Sequence, residues 1–75
     1  MEFKNKKING VFGEVIKILP GGMFRVKLND GQLLVAHVSF KIKMDRTPIL
    51  KGNIVFMQRA DNKSKNAIIL KKYTA

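Results

Sequence analysis

Residues 19–41 read LPGGMFRVKLNDGQLLVAHVSFK, and the order of apolar and polar side chains in them decides the fold. Phe24, Val26 and Leu28 alternate with more polar neighbours, which predicts a strand from 23 to 28 with one buried face. The Asn-Asp-Gly sequence that follows predicts a tight hairpin loop with Gly31 at positive φ. Alternation resumes from 32 to 38, so the two strands should pair antiparallel.

A longer strand is predicted before this hairpin, over residues 8–19. Apolar residues occupy both of its parities, and Gly10 and Gly13 interrupt it. Glycine inside a strand commonly marks a bend or bulge. The pattern therefore predicts a strongly curved strand that changes face along its length and ends at the turn Pro20-Gly21-Gly22.

The strand pattern breaks over residues 39–50. Ser39 is a candidate N-cap, and the run after it reaches Thr47-Pro48 within one or two turns, which predicts a short α or 3₁₀ insert. Two further strands are expected at 54–59 and 67–72, on either side of a polar loop.

These elements predict an all-β fold: a five-stranded Greek-key barrel of the oligonucleotide-binding (OB) type, with a short helical or 3₁₀ insert between strands 3 and 4. An SH3-like barrel is the main alternative. The expected organisation is a flexible basic arm at 1–7, one barrel domain at 8–72 and a tail at 73–75.

Charge is the strongest global feature. Fifteen Lys and Arg stand against five Asp and Glu, for a net charge of +10. Such an excess costs self-repulsion and predicts an anionic partner, although lysines that only keep the surface soluble are an alternative. A membrane partner is not expected, because no basic amphipathic helix and no apolar run of roughly 20 residues is present. Without Cys or an apolar leader, the chain is expected to be soluble and intracellular.

Enzymatic chemistry is not expected. The carboxylates are spread along the chain and there is one His, so no acid–base pair, metal cluster or nucleophile triad can be assembled from neighbouring residues. Gly21-Gly22 leads into a strand, unlike a phosphate loop that opens a helix. Glu14 and Asp30 are interpreted as surface charges. The sequence predicts a binding protein with no catalytic residue, metal or cofactor.

Basic side chains predict a surface that follows a phosphate backbone. They come from the second strand, the insert and the flanks of the last loop: Arg25, Lys27, Lys41, Lys43, Arg46, Arg59, Lys63 and Lys65. His37 is either an RNA contact or a half-buried histidine bonded to a backbone carbonyl. Phe40 is either a base-stacking residue or a core plug. The other aromatic residues are scattered, so no stacking surface is predicted.

Four spaced motifs run through residues 8–72. They are Gly13-x-Val15, Leu19-Pro20-x-x-Met23-Phe24-Arg25-Val26-x-Leu28-x-x-Gly31, Ala36-His37-x-Ser39-x-Lys41 and Ile49-Leu50-x-Gly52. Together they resemble bacterial and plastid translation initiation factor one, an S1-like OB family. The resemblance implies binding to 16S-type rRNA at the decoding A site of the small ribosomal subunit, with initiation factors two and three as partners and no catalysis.

The same resemblance implies a monomer away from the ribosome, in the cytoplasm or, alternatively, in the plastid stroma or another organelle. Its matching positions, with the insert's arginine added for its charge, give the expected rRNA-binding residues: Arg25, His37, Ser39, Lys41, Lys43, Arg46 and Lys65. An alternative function is general single-stranded RNA binding or RNA chaperoning of cold-shock type, which needs an exposed aromatic surface. A barrel that mainly contacts protein is a third.

Departures from the family pattern cluster in the segments expected to face RNA. Phe40 stands where the family has Gly, and Pro48 stands where it has Arg. The last loop reads Ser-Lys-Asn-Ala at 64–67 and lacks an Arg, although Asn66 can still adopt positive φ in place of Gly. The core pattern is therefore better kept than the binding surface.

Overall fold

The structure, a computed structural model, describes residues 10–61 and 63–73. The predicted arm at 1–7 lies outside these ranges, and the domain bounds 8–72 stay a prediction. The elements in chain order are β1 (Gly10–Leu19), β2 (Met23–Leu28), β3 (Leu33–Val38), α1 (Phe40–Asp45), β4 (Ile54–Arg59) and β5 (Asn66–Lys72). The predicted five strands and the helical insert between β3 and β4 are confirmed.

The strands close into a barrel in the order β1-β2-β3-β5-β4, with β4 returning to β1. All neighbouring pairs are antiparallel except β3 and β5, which run parallel. This connectivity, with a helix between β3 and β4, is that of the OB barrel, and it decides against the SH3-like alternative.

The curvature of β1 lets one strand pair with both halves of the barrel. Gly13 pairs with β2 on one side and β4 on the other. A Cβ at Gly13 would lie 2.5 Å from Val26 Cγ1, so a side chain there would collide with the core. An irregularity between Val15 and Lys17 then shifts the register, and Val15 is buried while Lys17 is exposed. The predicted change of face is therefore located at this bulge.

The hairpin of β2 and β3 has the predicted parity. The side chains predicted to face inward on β2 are buried, as are Leu34 and Ala36 on β3. Gly31 has φ +91°. The Asp30 carboxylate accepts hydrogen bonds from the Gln32 backbone N (3.0 Å) and side-chain Nε2 (2.8 Å), so Gln32 belongs to the loop. The prediction that β3 begins at 32 was therefore wrong by one residue.

The helix α1 continues directly from β3 and closes the barrel core. The Ser39 hydroxyl accepts from Ile42 N at 3.3 Å, which confirms the predicted N-cap. Ser39 N donates to Ile69 O at 2.9 Å and so ties the helix start to β5. Ile42 is buried in the core. Arg46 ends the helix in the left-handed region, with φ 55°.

Candidate nucleic-acid interface

Cross-strand pairing brings basic residues together on the outer side of β1, β2 and β3. Lys17 pairs with Arg25, which pairs with Val35. The Val35 N–H donates to the Lys65 carbonyl at 2.9 Å. Because neighbouring strands lie about 4.8 Å apart, Lys17, Arg25 and Lys65 fall within roughly 15 Å of one another. A stretch of phosphates could contact all three.

Arg25 is held against the sheet rather than extended into solvent. Its side chain is half-buried, and its Nε is shielded from water and finds no acceptor among the residues that the structure describes. Unmatched buried donors are uncommon in folded proteins. A guanidinium held in this way can donate to a phosphate or carbonyl oxygen with little rotamer freedom left to lose.

His37 lies on the same side of the sheet as Arg25, two residues along β3 from Val35, the partner of Arg25. It pairs with Met23 of β2 and Ile68 of β5, and its side chain is exposed. The alternative of a half-buried histidine was therefore wrong. A shallow depression beside it is lined in part by Gln58 and Ser64. His37 is accordingly free to contact a ligand.

The helix α1 carries the second group of cations. Lys41, Lys43 and Arg46 are all exposed. Lys41 Nζ lies 3.7 Å from an Asp45 carboxylate oxygen, but both side chains are well exposed, so this pair contributes little and can open. Lys41 also lines a shallow depression with Lys71 and Lys72 of β5. We call the strand and helix groups taken together the cationic face: Lys17, Arg25, His37, Lys41, Lys43, Arg46 and Lys65.

Phe40 projects from the exposed side of α1. Its side chain is 76% exposed, so the core-plug alternative was wrong. Met44, one helical turn later, is exposed as well. Residues at this spacing share one side of a helix. Phe40 therefore remains available for stacking beside the helix cations.

Two other residues of the sequence-based surface have structural roles. The Ser39 hydroxyl accepts from Ile42 N and so caps α1, while its expected contact with rRNA stays a prediction. Arg59 is only 5% exposed, and its Nη2 donates to Ser64 O (2.9 Å) and Gln32 Oε1 (3.1 Å). The prediction that Arg59 belongs to the basic surface was wrong, because its guanidinium fixes the loop before β5 to the hairpin loop.

Asn66 does not adopt the positive φ that is open to it. Among the described residues other than glycine, positive φ occurs at Arg46 alone. Asn66 is instead the first residue of β5 and pairs with Val35 of β3. The left-handed conformation is not used because the parallel β3–β5 pairing already begins at this position, one residue before the predicted strand.

Lys17 is the basic residue of this surface that sequence reasoning missed. A strict alternation from Val15 places Lys17 on the inner side. The bulge before it turns it outward, next to Arg25. Its signal was the run of apolar residues on both parities of β1, which predicted a change of face without fixing its position.

Three aromatic residues meet on another part of the barrel, where none was expected to form a surface. The Phe12 ring lies 4.9 Å from Phe56 and 5.4 Å from Tyr73, measured between centroids. Phe12 pairs with Phe56 across β1 and β4. We call Phe12, Phe56 and Tyr73 the aromatic patch. The expectation of scattered aromatic residues was wrong, because barrel closure joins strands that are distant in sequence.

Two further classes of site concern metal ions and membranes. Within residues 10–61 and 63–73, no group of three or more His, Cys, Asp or Glu side chains could hold a metal ion. In the same ranges, no helix combines the length and the apolar character that are needed to cross a membrane.

Comparison with solved structures finds a match over nearly the whole chain. The solution structure of translation initiation factor one from the Wolbachia endosymbiont (strain TRS) of Brugia malayi is similar with a TM-score of 0.74 and 29% identity, over 99% of this chain and 87% of that one. The similarity confirms the resemblance predicted from the motifs and supports a role in translation initiation.

A second solved structure shares the fold alone. The crystal structure of YjeQ from Thermotoga maritima is similar with a TM-score of 0.69 and 17% identity, over 87% of this chain but 23% of that one. No family model matches the chain.

Proposed function

We propose that this chain is a non-catalytic translation initiation factor that binds rRNA at the decoding A site of the small ribosomal subunit. The observation that carries the proposal is the similarity to an initiation factor over 99% of this chain and 87% of that protein. The proposed partners are the small-subunit rRNA and initiation factors two and three.

The cationic face supports rRNA as the ligand. The strand group follows one direction across β1, β2 and β3, and α1 extends the surface from the end of β3. The acidic residues that the structure describes are fewer than the cations of this face. Asp45 lies on α1, Glu14 pairs with Lys27 near the Lys17–Arg25 pair, and Asp30 and Asp61 lie in loops. Contacts from Lys and Arg to phosphate position a protein on RNA without reading its sequence. Phe40 adds one exposed ring for an unpaired base.

Exclusion of tRNA follows from occupancy in this proposal. A closed barrel with a continuous buried core does not yield its volume easily, because its interior is close-packed. A barrel bound by its cationic face in the decoding site would keep elongator tRNA out until the barrel itself dissociates. This function needs neither a reacting group nor a cofactor.

Salt dependence of binding to purified small subunits tests the proposal. Binding through six or more phosphate contacts should weaken by about 10³-fold or more between 50 and 200 mM salt, because each contact releases counterions. Lys41→Ala should reduce the slope of log affinity against log salt by about one. Lys51→Ala, in the turn before β4 and outside the cationic face, should leave the slope unchanged. A slope near zero, or equal effects of the two variants, would refute rRNA binding through this face.

One observation favours the alternative function of general single-stranded RNA binding. That function requires an exposed aromatic surface, and the aromatic patch supplies one. The patch lies on β1, β4 and the residue after β5, whereas the cationic face is built on β1, β2, β3, α1 and the loop before β5. The two surfaces have different members, although β1 contributes to both and Lys41 lines a shallow depression together with Lys71.

A further inference from the structure

We infer that the aromatic patch, with Lys71 beside it, is a second RNA-binding surface that stacks unpaired bases of a single strand. The inference goes beyond the proposed function, because it concerns free single-stranded RNA and a different set of residues. It does not require that the cationic face bind the decoding site.

The patch is fixed by strand pairing on both sides of β4, with a register shift in the β4–β5 pair directly after Phe56. Phe12 of β1 pairs with Phe56 of β4, and Phe56 pairs with Lys71 of β5. Tyr73 N donates to Ile54 O at 2.8 Å, which holds the chain after β5 against β4. The rings are tilted by 52° for Phe12–Phe56 and 42° for Phe12–Tyr73. Such tilted contacts are favourable for aromatic pairs and leave ring faces open.

Phe56 forms the floor of the patch, and its neighbours form the accessible part. A Cβ at Gly10 would lie 2.3 Å from Phe56 Cζ, so the ring covers a glycine that has no side chain to displace it. Packing of this kind accounts for Phe56 as a structural residue. It does not account for Phe12 and Tyr73, which are 51% and 49% exposed.

Charge favours nucleic acid as the occupant. Lys71 Nζ lies 5.4 Å from the Tyr73 ring centroid, so a cation stands at the edge of the exposed rings. The chain as a whole carries a net charge of +10. A ligand that combines flat rings with negative charge matches both features, and base stacking on aromatic side chains with nearby cations is how single strands are commonly bound.

The shape beside Phe12 also fits flat groups. Shallow depressions flank its ring: one is lined in part by Glu14 and Lys27, the other by Asn29 and Asp30. A base stacked on Phe12 would have room at the ring's edges, and polar side chains there could meet its polar edge. The patch is thus open on more than one side.

The chain contains its own reporter for this inference. Tyr73 is the only Tyr and there is no Trp, so intrinsic fluorescence reports on the patch itself. The full chain would be titrated with a single-stranded RNA of about ten nucleotides, within the range that one OB fold covers. An abasic oligomer of equal length and charge serves as the control. We expect saturable quenching of Tyr73 by the RNA and none by the abasic oligomer.

Variants separate stacking from folding. Phe12→Ala and Phe12→Leu should both weaken the oligonucleotide affinity by at least about fivefold, since a stacking contact is lost in each. The leucine variant retains an apolar side chain, and thermal melting checks that both variants fold. Leu33→Ala removes an exposed apolar residue of β3 outside the patch and should change the affinity less than twofold.

Two results would overturn the inference. One is absence of quenching, or equal quenching by the abasic oligomer. The other is weaker binding of a Phe12 variant to small subunits without any change in oligonucleotide affinity. That result would identify the patch as a contact with the subunit and not with free single strands. Quenching without any small-subunit binding would instead contradict the proposed function and leave this inference in place.

Discussion

The cationic face and the aromatic patch lie on one small barrel but are built in different ways. The cationic face joins three strands, a helix and the loop before β5. It therefore depends on the bulge before Lys17, on the Ser39 cap of α1 and on the buried Arg59. The aromatic patch depends on the β1–β4 register, on the β4–β5 register with its shift between Phe56 and Met57, and on the residue after β5. The difference teaches that the charged surface draws on turns and a helix as well as strands, whereas the ring cluster is brought together by the pairing of strands that are distant in sequence.

Removing the Arg59 side chain should have the largest effect and should damage the cationic face more than the aromatic patch. Arg59→Ala leaves Ser64 O and Gln32 Oε1 without their donor, in a site where Arg59 is almost fully buried. We expect the free energy of unfolding to fall by about 2–3 kcal/mol, as for a lost buried charged hydrogen bond. Urea denaturation measures it.

The matched control is Lys63→Ala, in the same loop but exposed. It should change the free energy of unfolding by no more than about 0.5 kcal/mol. If Arg59→Ala were as stable as Lys63→Ala, the loop would not depend on the Arg59 bonds.

Replacing Arg25 should separate the two surfaces. Loss of one charge-assisted contact predicts about tenfold weaker binding of Arg25→Ala to small subunits at low salt. The affinity for the single-stranded oligonucleotide, measured by quenching of Tyr73, should stay within about twofold of that of the natural chain. The variant loses only one charge that attracts phosphate non-specifically. Sedimentation and fluorescence titration give the two numbers. A parallel loss in both would mean that the chain has a single RNA-binding surface.

The smallest expected effect concerns Asp30, at the hairpin loop beside the aromatic patch. Hydrogen bonds from the Gln32 side chain and backbone lower the pKa of the Asp30 carboxyl. Its pKa is therefore lower in the folded than in the unfolded state. The resulting stabilisation is present above the unfolded value, about 3.9, and is lost as pH falls through the folded value.

An Asp30→Asn variant lacks this titration. The stability difference between the natural chain and the variant should therefore shrink below about pH 4. Denaturation at a series of acidic pH values checks the sign. A difference that grows on acidification would contradict the assignment.

The hairpin could be predicted from the sequence because its determinants are local. Alternation with period two, a turn sequence and a glycine all lie within residues 23–38, and the structure confirms the predicted faces there. Ser39 as an N-cap was likewise a local signal.

The rest could not be predicted because it depends on long-range contacts. Phe12, Phe56 and Tyr73 meet only after β1 closes against β4. Lys17 faces outward because of a bulge whose position no residue type marks. Arg59 was assigned to the surface because it is charged, yet carbonyl and amide acceptors from two loops make its burial favourable. In each case contacts with residues that are distant in the chain determine where the side chain lies.

Chemical footprinting of small-subunit rRNA tests the central claim most directly. We predict that the natural chain protects nucleotides of the decoding A site, and that Arg25→Ala does so only at about tenfold higher concentration, as expected for one lost charge-assisted contact. Protection confined to another region of the rRNA, or no protection when the subunits are saturated with the chain, would contradict the account.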